Sequence, residues 1–79
     1  MSKILALRMS ALFIAMKLKD LLPYIDGSSH IRVVTRDYQV VYDGAMMFAY
    51  NDIDVKYYNS PIRAIFSGQY IDAIIIELK

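Results

Sequence analysis

The sequence predicts an α+β fold: an N-terminal helix, or two helices, packed on a four-stranded antiparallel β-meander. Three observations predict it. First, an apolar stretch opens the chain. Ile4, Leu5, Leu7, Leu12, Phe13 and Ile14 spread around most of a helical circumference, while Lys3, Ser10 and Lys17 line one narrow edge. That is the pattern of a helix buried on several sides. Second, β-branched and aromatic runs follow in two pairs, each joined by a short polar turn. Third, connections that short make antiparallel neighbours, and helices followed by hairpins give the α+β class.

In chain order, Asp20 is placed to cap a short helix through Leu21, Leu22, Pro23, Tyr24 and Ile25, with Pro23 in the first turn where its missing N–H is harmless. Asp26 to Ser29 ends it. Residues 31–36 and 39–42 read as a hairpin turning at Asp37-Tyr38, closed by Asp43-Gly44 as a further turn. Ala45 to Tyr50 reads as a short helix or irregular crossover, and residues 51–59 as a surface loop or, over Val55 to Tyr58, a segment that pairs with a neighbour. Ser60-Pro61 breaks the chain. Ile62 to Phe66 then leads through Ser67-Gly68-Gln69 into a final strand from Tyr70 to Leu78, a second hairpin. Tyr24 and Tyr42 are expected in the core, and Tyr50, Tyr57, Tyr58 and Tyr70 at its margin.

A chain of 79 residues makes a single small domain, and a domain of that size hides only about 60% of its unfolded surface. The absence of cysteine removes disulfides and thiolate zinc as stabilisers and leaves oligomerisation. A net charge of +1 argues against an acidic nucleic-acid mimic and against a basic nucleic-acid coat. The charge is uneven, however. Lys3, Arg8, Lys17 and Lys19 stand in residues 1–19 with no acid, and five basic groups face eight acidic ones beyond them. The opening apolar run is too short and too interrupted by Arg8 to cross a bilayer, so the expected location is the cytoplasm, without a membrane partner. Met16-Lys17-Leu18 reads as a natural beginning, which makes residues 1–15 a candidate helical extension of the basic fold.

Little in the sequence suggests catalysis. His30, the sole histidine, sits among serines before a strand, and the bland reading is a turn imidazole. Asp52 and Asp54 lack the longer ligand series of a hard-cation site. No phosphate loop, histidine-pair zinc motif or nucleophile elbow is present. The expectation is a non-enzymatic protein with no cofactor and no metal.

Binding carries more weight, because seven tyrosines and five methionines supply broad, adaptable contact area. Arg32 and Arg36 share a strand face, and Lys56, Tyr57, Tyr58 and Arg63 complete a candidate partner-binding set suited to phosphates or an acidic partner. The final strand is apolar on both sides, with Ile71, Ala73 and Ile75 on one and Ile74, Ile76 and Leu78 on the other. Leu5, Leu12, Phe13, Ile74, Ile76 and Leu78 are therefore the candidate self-association residues of a homo-oligomer.

From Met16 onward, "MKLKDLLPYIDGSSHIRVV", "VVYDG" and "PIRAIFSGQYIDAIIIEL" carry a family likeness. Asp20, Leu21 and Leu22 open a "DLL" helix, and Tyr42, Asp43 and Gly44 form a "Y-x-G"-like element before an apolar hairpin. The pattern resembles a loose group of short uncharacterised bacterial and bacteriophage (mobile-element) proteins. The resemblance implies an accessory protein that acts by binding, as an anti-CRISPR-like inhibitor of a host defence complex, with a host protein or ribonucleoprotein as partner. A nucleic-acid-binding regulator using the arginine face, and a self-assembling structural module, are the alternatives.

Overall fold

The computed structural model of the chain describes residues 16–68 and 72–79. The expected opening helix over residues 1–15, including Leu5, Leu12 and Phe13, lies outside the described residues, as do Tyr70 and Ile71.

The described chain begins with helix α1 (Leu18–Leu21), continued by a 3-10 turn (Leu22–Tyr24). The helix starts ahead of Asp20, which acts from inside its first turn: the backbone N–H of Lys17 donates to Asp20 Oδ2 at 3.2 Å. Two further N–H groups at this end find carbonyls in the loop before the third strand, Leu18 N to Ser60 O at 3.0 Å and Lys19 N to Tyr58 O at 2.9 Å. Donors that a helix N-terminus leaves without partners thus fasten it to the tertiary structure. Leu18, Leu21 and Leu22 are buried, but Tyr24, expected in the core, is 83% exposed because the turn points it away from the sheet.

Four strands follow: β1 (His30–Val34), β2 (Val40–Ala45), β3 (Ile62–Ser67) and β4 (Ile74–Leu78). Their order in the sheet is β2-β1-β4-β3, with β1 and β4 parallel and the other pairs antiparallel. The sheet is therefore mixed, which overturns the antiparallel meander. The two hairpins form locally, and they join through the first strand of one and the second strand of the other, β1 against β4, so β2 and β3 become opposite edges running in the same direction. A same-direction connection cannot be a tight turn. Residues 46–61 carry the chain from one edge to the other through a 3-10 turn (Met46–Phe48), helix α2 (Ala49–Asp52) and another 3-10 turn (Val55–Tyr57).

The crossover and α1 cover one sheet face. Ile31, Val33, Ile62, Ile76 and Leu78 from the strands meet Leu18, Leu21, Leu22, Met46, Ala49 and Ile53 in one buried cluster. Register explains the set. Ile31 pairs with Ile74, Val33 with Ile76, Ile65 with Ile76 and Ile62 with Leu78, so alternate residues of three strands reach the same side. Both faces of β4 are apolar because β4 is a central strand. On its other side Ala73 and Ile75 are each 8% exposed, Ile75 standing between Arg32 of β1 and Phe66 of β3.

Asp43 and Gly44, expected to turn the chain, instead continue β2. Asp43 stands opposite Arg32 and Gly44 opposite Ile31. The reversal between β1 and β2 occurs at Thr35–Gln39, where Thr35 N binds Gln39 O and Tyr38 N binds Thr35 O, each at 2.9 Å.

Candidate functional site

The crossover shows how a short segment separates a buried face from an exposed one. Met46, Ala49 and Ile53 recur at helical spacing and are buried. Met47, Phe48 and Tyr50 occupy the intervening positions and are exposed, as is Val55 at 71%. With Tyr24, these make five of the eight large apolar or aromatic side chains that are exposed among the described residues. Helical turns rather than strands therefore carry most of the apolar surface.

Local contacts fix this segment. The Tyr58 hydroxyl donates to the Tyr50 carbonyl at 2.7 Å, and the two rings meet edge to face with centroids 6.5 Å apart. Asp54 caps the following turn by accepting from Lys56 N at 3.0 Å. The Lys56 ammonium lies 5.1 Å from the centre of the Tyr57 ring, within cation–π range. Tyr57 and Tyr58 are half-buried against the core cluster. Lys56, Tyr57 and Tyr58 thus belong to the crossover and not to an arginine-bearing sheet face.

The arginines divide. Arg32 lies on the sheet face away from the helices and is held by Asp43, with Arg32 Nη2 3.0 Å from Asp43 Oδ2. His30, two residues earlier on the same strand face, reaches the other oxygen of Asp43 through Nε2. The His30 hydrogen bond, joined by Arg32, holds the Asp43 carboxyl below the usual carboxylate range, against a smaller opposing push from burial. On the core side of β2, burial and the nearby charges of Asp52 and Asp43 push the Tyr42 phenol up. Its hydroxyl donates to Ala45 O at 2.6 Å.

Arg36 and Arg63 do come together, with Lys79 as a third member, around a depression of about 350 Å³. The topology puts them there. Arg36 follows the end of β1, Lys79 follows the end of the parallel β4, and Arg63 occupies the irregular step in the pairing of β3 with β4. Lys79 carried no sequence signal, because its membership depends on the parallel pairing.

Ile76 and Leu78 are buried and Ile74 packs against the cluster. Ile76 and Leu78 thus face the domain's own core, and Ile74 is half-buried at its margin.

A second depression, of about 370 Å³, lies at the opposite end of the sheet between Ser28, Ser29, His30, Ser67, Gly68 and Asp72. Two of its polar groups are committed to neighbours, Ser28 Oγ to Asp26 and His30 to Asp43. Among the described residues no hydrogen bond joins a serine to His30, and no cluster of three metal-ligating side chains occurs. Also among these residues, no helix is long and apolar enough to cross a membrane.

Compared with known proteins, the chain matches no family model, no curated protein and no solved structure.

Proposed function

We propose that this protein acts by contact, as a non-enzymatic binding protein whose working surface is the outward side of the crossover. The observation that carries this reading is the placement of Met47, Phe48, Tyr50 and Val55, exposed on turns whose inward residues are locked into the core. Aromatic and methionine side chains offer large contact area that adapts to a partner. Tyr and other aromatic anchors also dominate measured binding energies. Backing by Ala49 and Ile53 holds this surface in place before binding, which lowers the ordering cost of association.

The finer reading is an inhibitor that occupies the surface of a host defence complex in the bacterial cytoplasm; it rests on the resemblance from Met16 onward. A homo-oligomer belongs to the same proposal, now supported by Val40 and Phe66, exposed on the two edge strands. The test is affinity capture from a bacterial host extract, with the full chain and a Phe48→Ser, Tyr50→Ser double variant compared by mass spectrometry. A partner held by the parent and released by the double variant is the expected result. Equal capture by both, with the double variant still folded, overturns the assignment.

A further inference from the structure

Two features at one end of the sheet are left unused by the contact surface. One is the depression bordered by Arg36, Arg63 and Lys79. The ion pairs found among the described residues both use Asp43, so these three cations have no carboxylate partner there. Three like charges around one hollow repel each other, and an anion seated among them relieves the repulsion. The other feature is Tyr38, two residues beyond Arg36 in the same turn. Its φ is +64°, the sole positive φ among the described residues, and its side chain is 67% exposed. Asn or Gly adopts that backbone at less cost than an aromatic residue does. The fold therefore holds a solvent-facing aromatic residue, on a backbone angle unusual for its type, in the same turn as a member of a cation cluster that makes no ion pair among the described residues.

We infer that this end of the sheet binds single-stranded nucleic acid, with backbone phosphates at Arg36, Arg63 and Lys79 and a base stacked on Tyr38. Cations along a groove and an aromatic platform are the two parts that non-specific single-strand binding requires. Arginine supplies the planar donor fork that suits phosphate oxygens. The exposed ring explains why an aromatic residue occupies a backbone position that favours a smaller one. The site stands apart from the crossover surface, so its test needs no protein partner.

The experiment is fluorescence anisotropy with the full chain and a labelled oligothymidylate of about twelve nucleotides, a length within the span such sites cover. Binding is expected to weaken with salt along a log–log slope of about −2, the value for three phosphate contacts on a single strand. Arg36→Ala and Arg63→Ala are each expected to weaken binding several-fold. Tyr38→Asn is the decisive variant, because Asn tolerates the left-handed backbone. Its melting temperature should equal or exceed the parent's while its affinity falls about tenfold. Absence of binding at low salt, or a folded Tyr38→Asn protein that binds like the parent, overturns the proposal. Displacement of the oligonucleotide by an equal concentration of inorganic phosphate overturns it too, since a lone anion would then be the whole ligand.

Discussion

Val33 of β1 stands opposite Ile76 of β4 in parallel register, and neither side chain has any exposure. This pair joins two hairpins that would otherwise be separate ribbons. Replacing Ile76 by Ala removes a side chain at the centre of the core and leaves a cavity, at a cost of about 2–5 kcal/mol. Glu77→Ala, one residue on and on the other face, should cost less than about 1 kcal/mol. Urea denaturation of both variants checks the contrast. Similar midpoints for the two contradict it.

Tyr24 gives the opposite expectation. A core tyrosine replaced by Ala loses several kcal/mol, but the exposed Tyr24 should lose no more than about 0.5 kcal/mol. Thermal melting of Tyr24→Ala decides between the two placements.

Gly44 and Tyr42 are coupled by space. A Cβ at Gly44 would lie 2.8 Å from the Tyr42 hydroxyl and 3.1 Å from the ring carbon that bears it. Gly44→Ala must swing the ring aside and disturb its hydrogen bond to Ala45 O, a loss of about 1 kcal/mol. The ring end can move, so the variant should fold. In the Tyr42→Phe background, which already lacks that bond, the added cost of Gly44→Ala should shrink, as a double-mutant cycle by urea denaturation would read.

Asp43 predicts a pH effect of defined sign. Its carboxyl is held below the usual range in the folded chain, so the unfolded chain takes up its proton first as pH falls. The stabilisation is complete above the unfolded value near 3.9 and disappears as pH drops through the lower folded value. Asp43 and Arg32 are about a third exposed and His30 about half, which limits the effect to about 0.5 kcal/mol. Asp43→Asn should therefore differ from the parent at about pH 5 and converge with it as pH falls through the folded value. A gap that widens toward acid contradicts the pairing.

The strands were legible in the sequence, their order was not. Residues 31–34 and 62–66 announce strands through β-branched and aromatic side chains, and the short turns after them announce the hairpins. Nothing local says which members of two hairpins will touch. That choice is made where Val33 meets Ile76, 43 positions apart in sequence, and by a crossover whose apolar residues alternate between core and solvent at helical spacing. The two-faced composition of β4 was a true signal of burial on both sides; it marks a central strand as well as it marks an interface. Asp43-Gly44 carried turn chemistry, yet Asp43 is used to hold His30 and Arg32, and Gly44 leaves room for the Tyr42 ring. Arg36 and Arg63 were identifiable as binding candidates by residue type. Lys79 and Tyr38 were not, since one depends on the parallel pairing and the other on a backbone angle.

The contact surface exists because β1 and β4 run side by side in the same direction and force the chain between β2 and β3 across the core face. Nuclear Overhauser contacts in the isotope-labelled full chain test that relationship most directly. Parallel-type contacts are expected between backbone protons of Arg32 to Val34 and those of Ile75 to Glu77, with none between β2 and β3. Close α-proton pairs linking β2 to β3, the mark of an antiparallel meander, would contradict it.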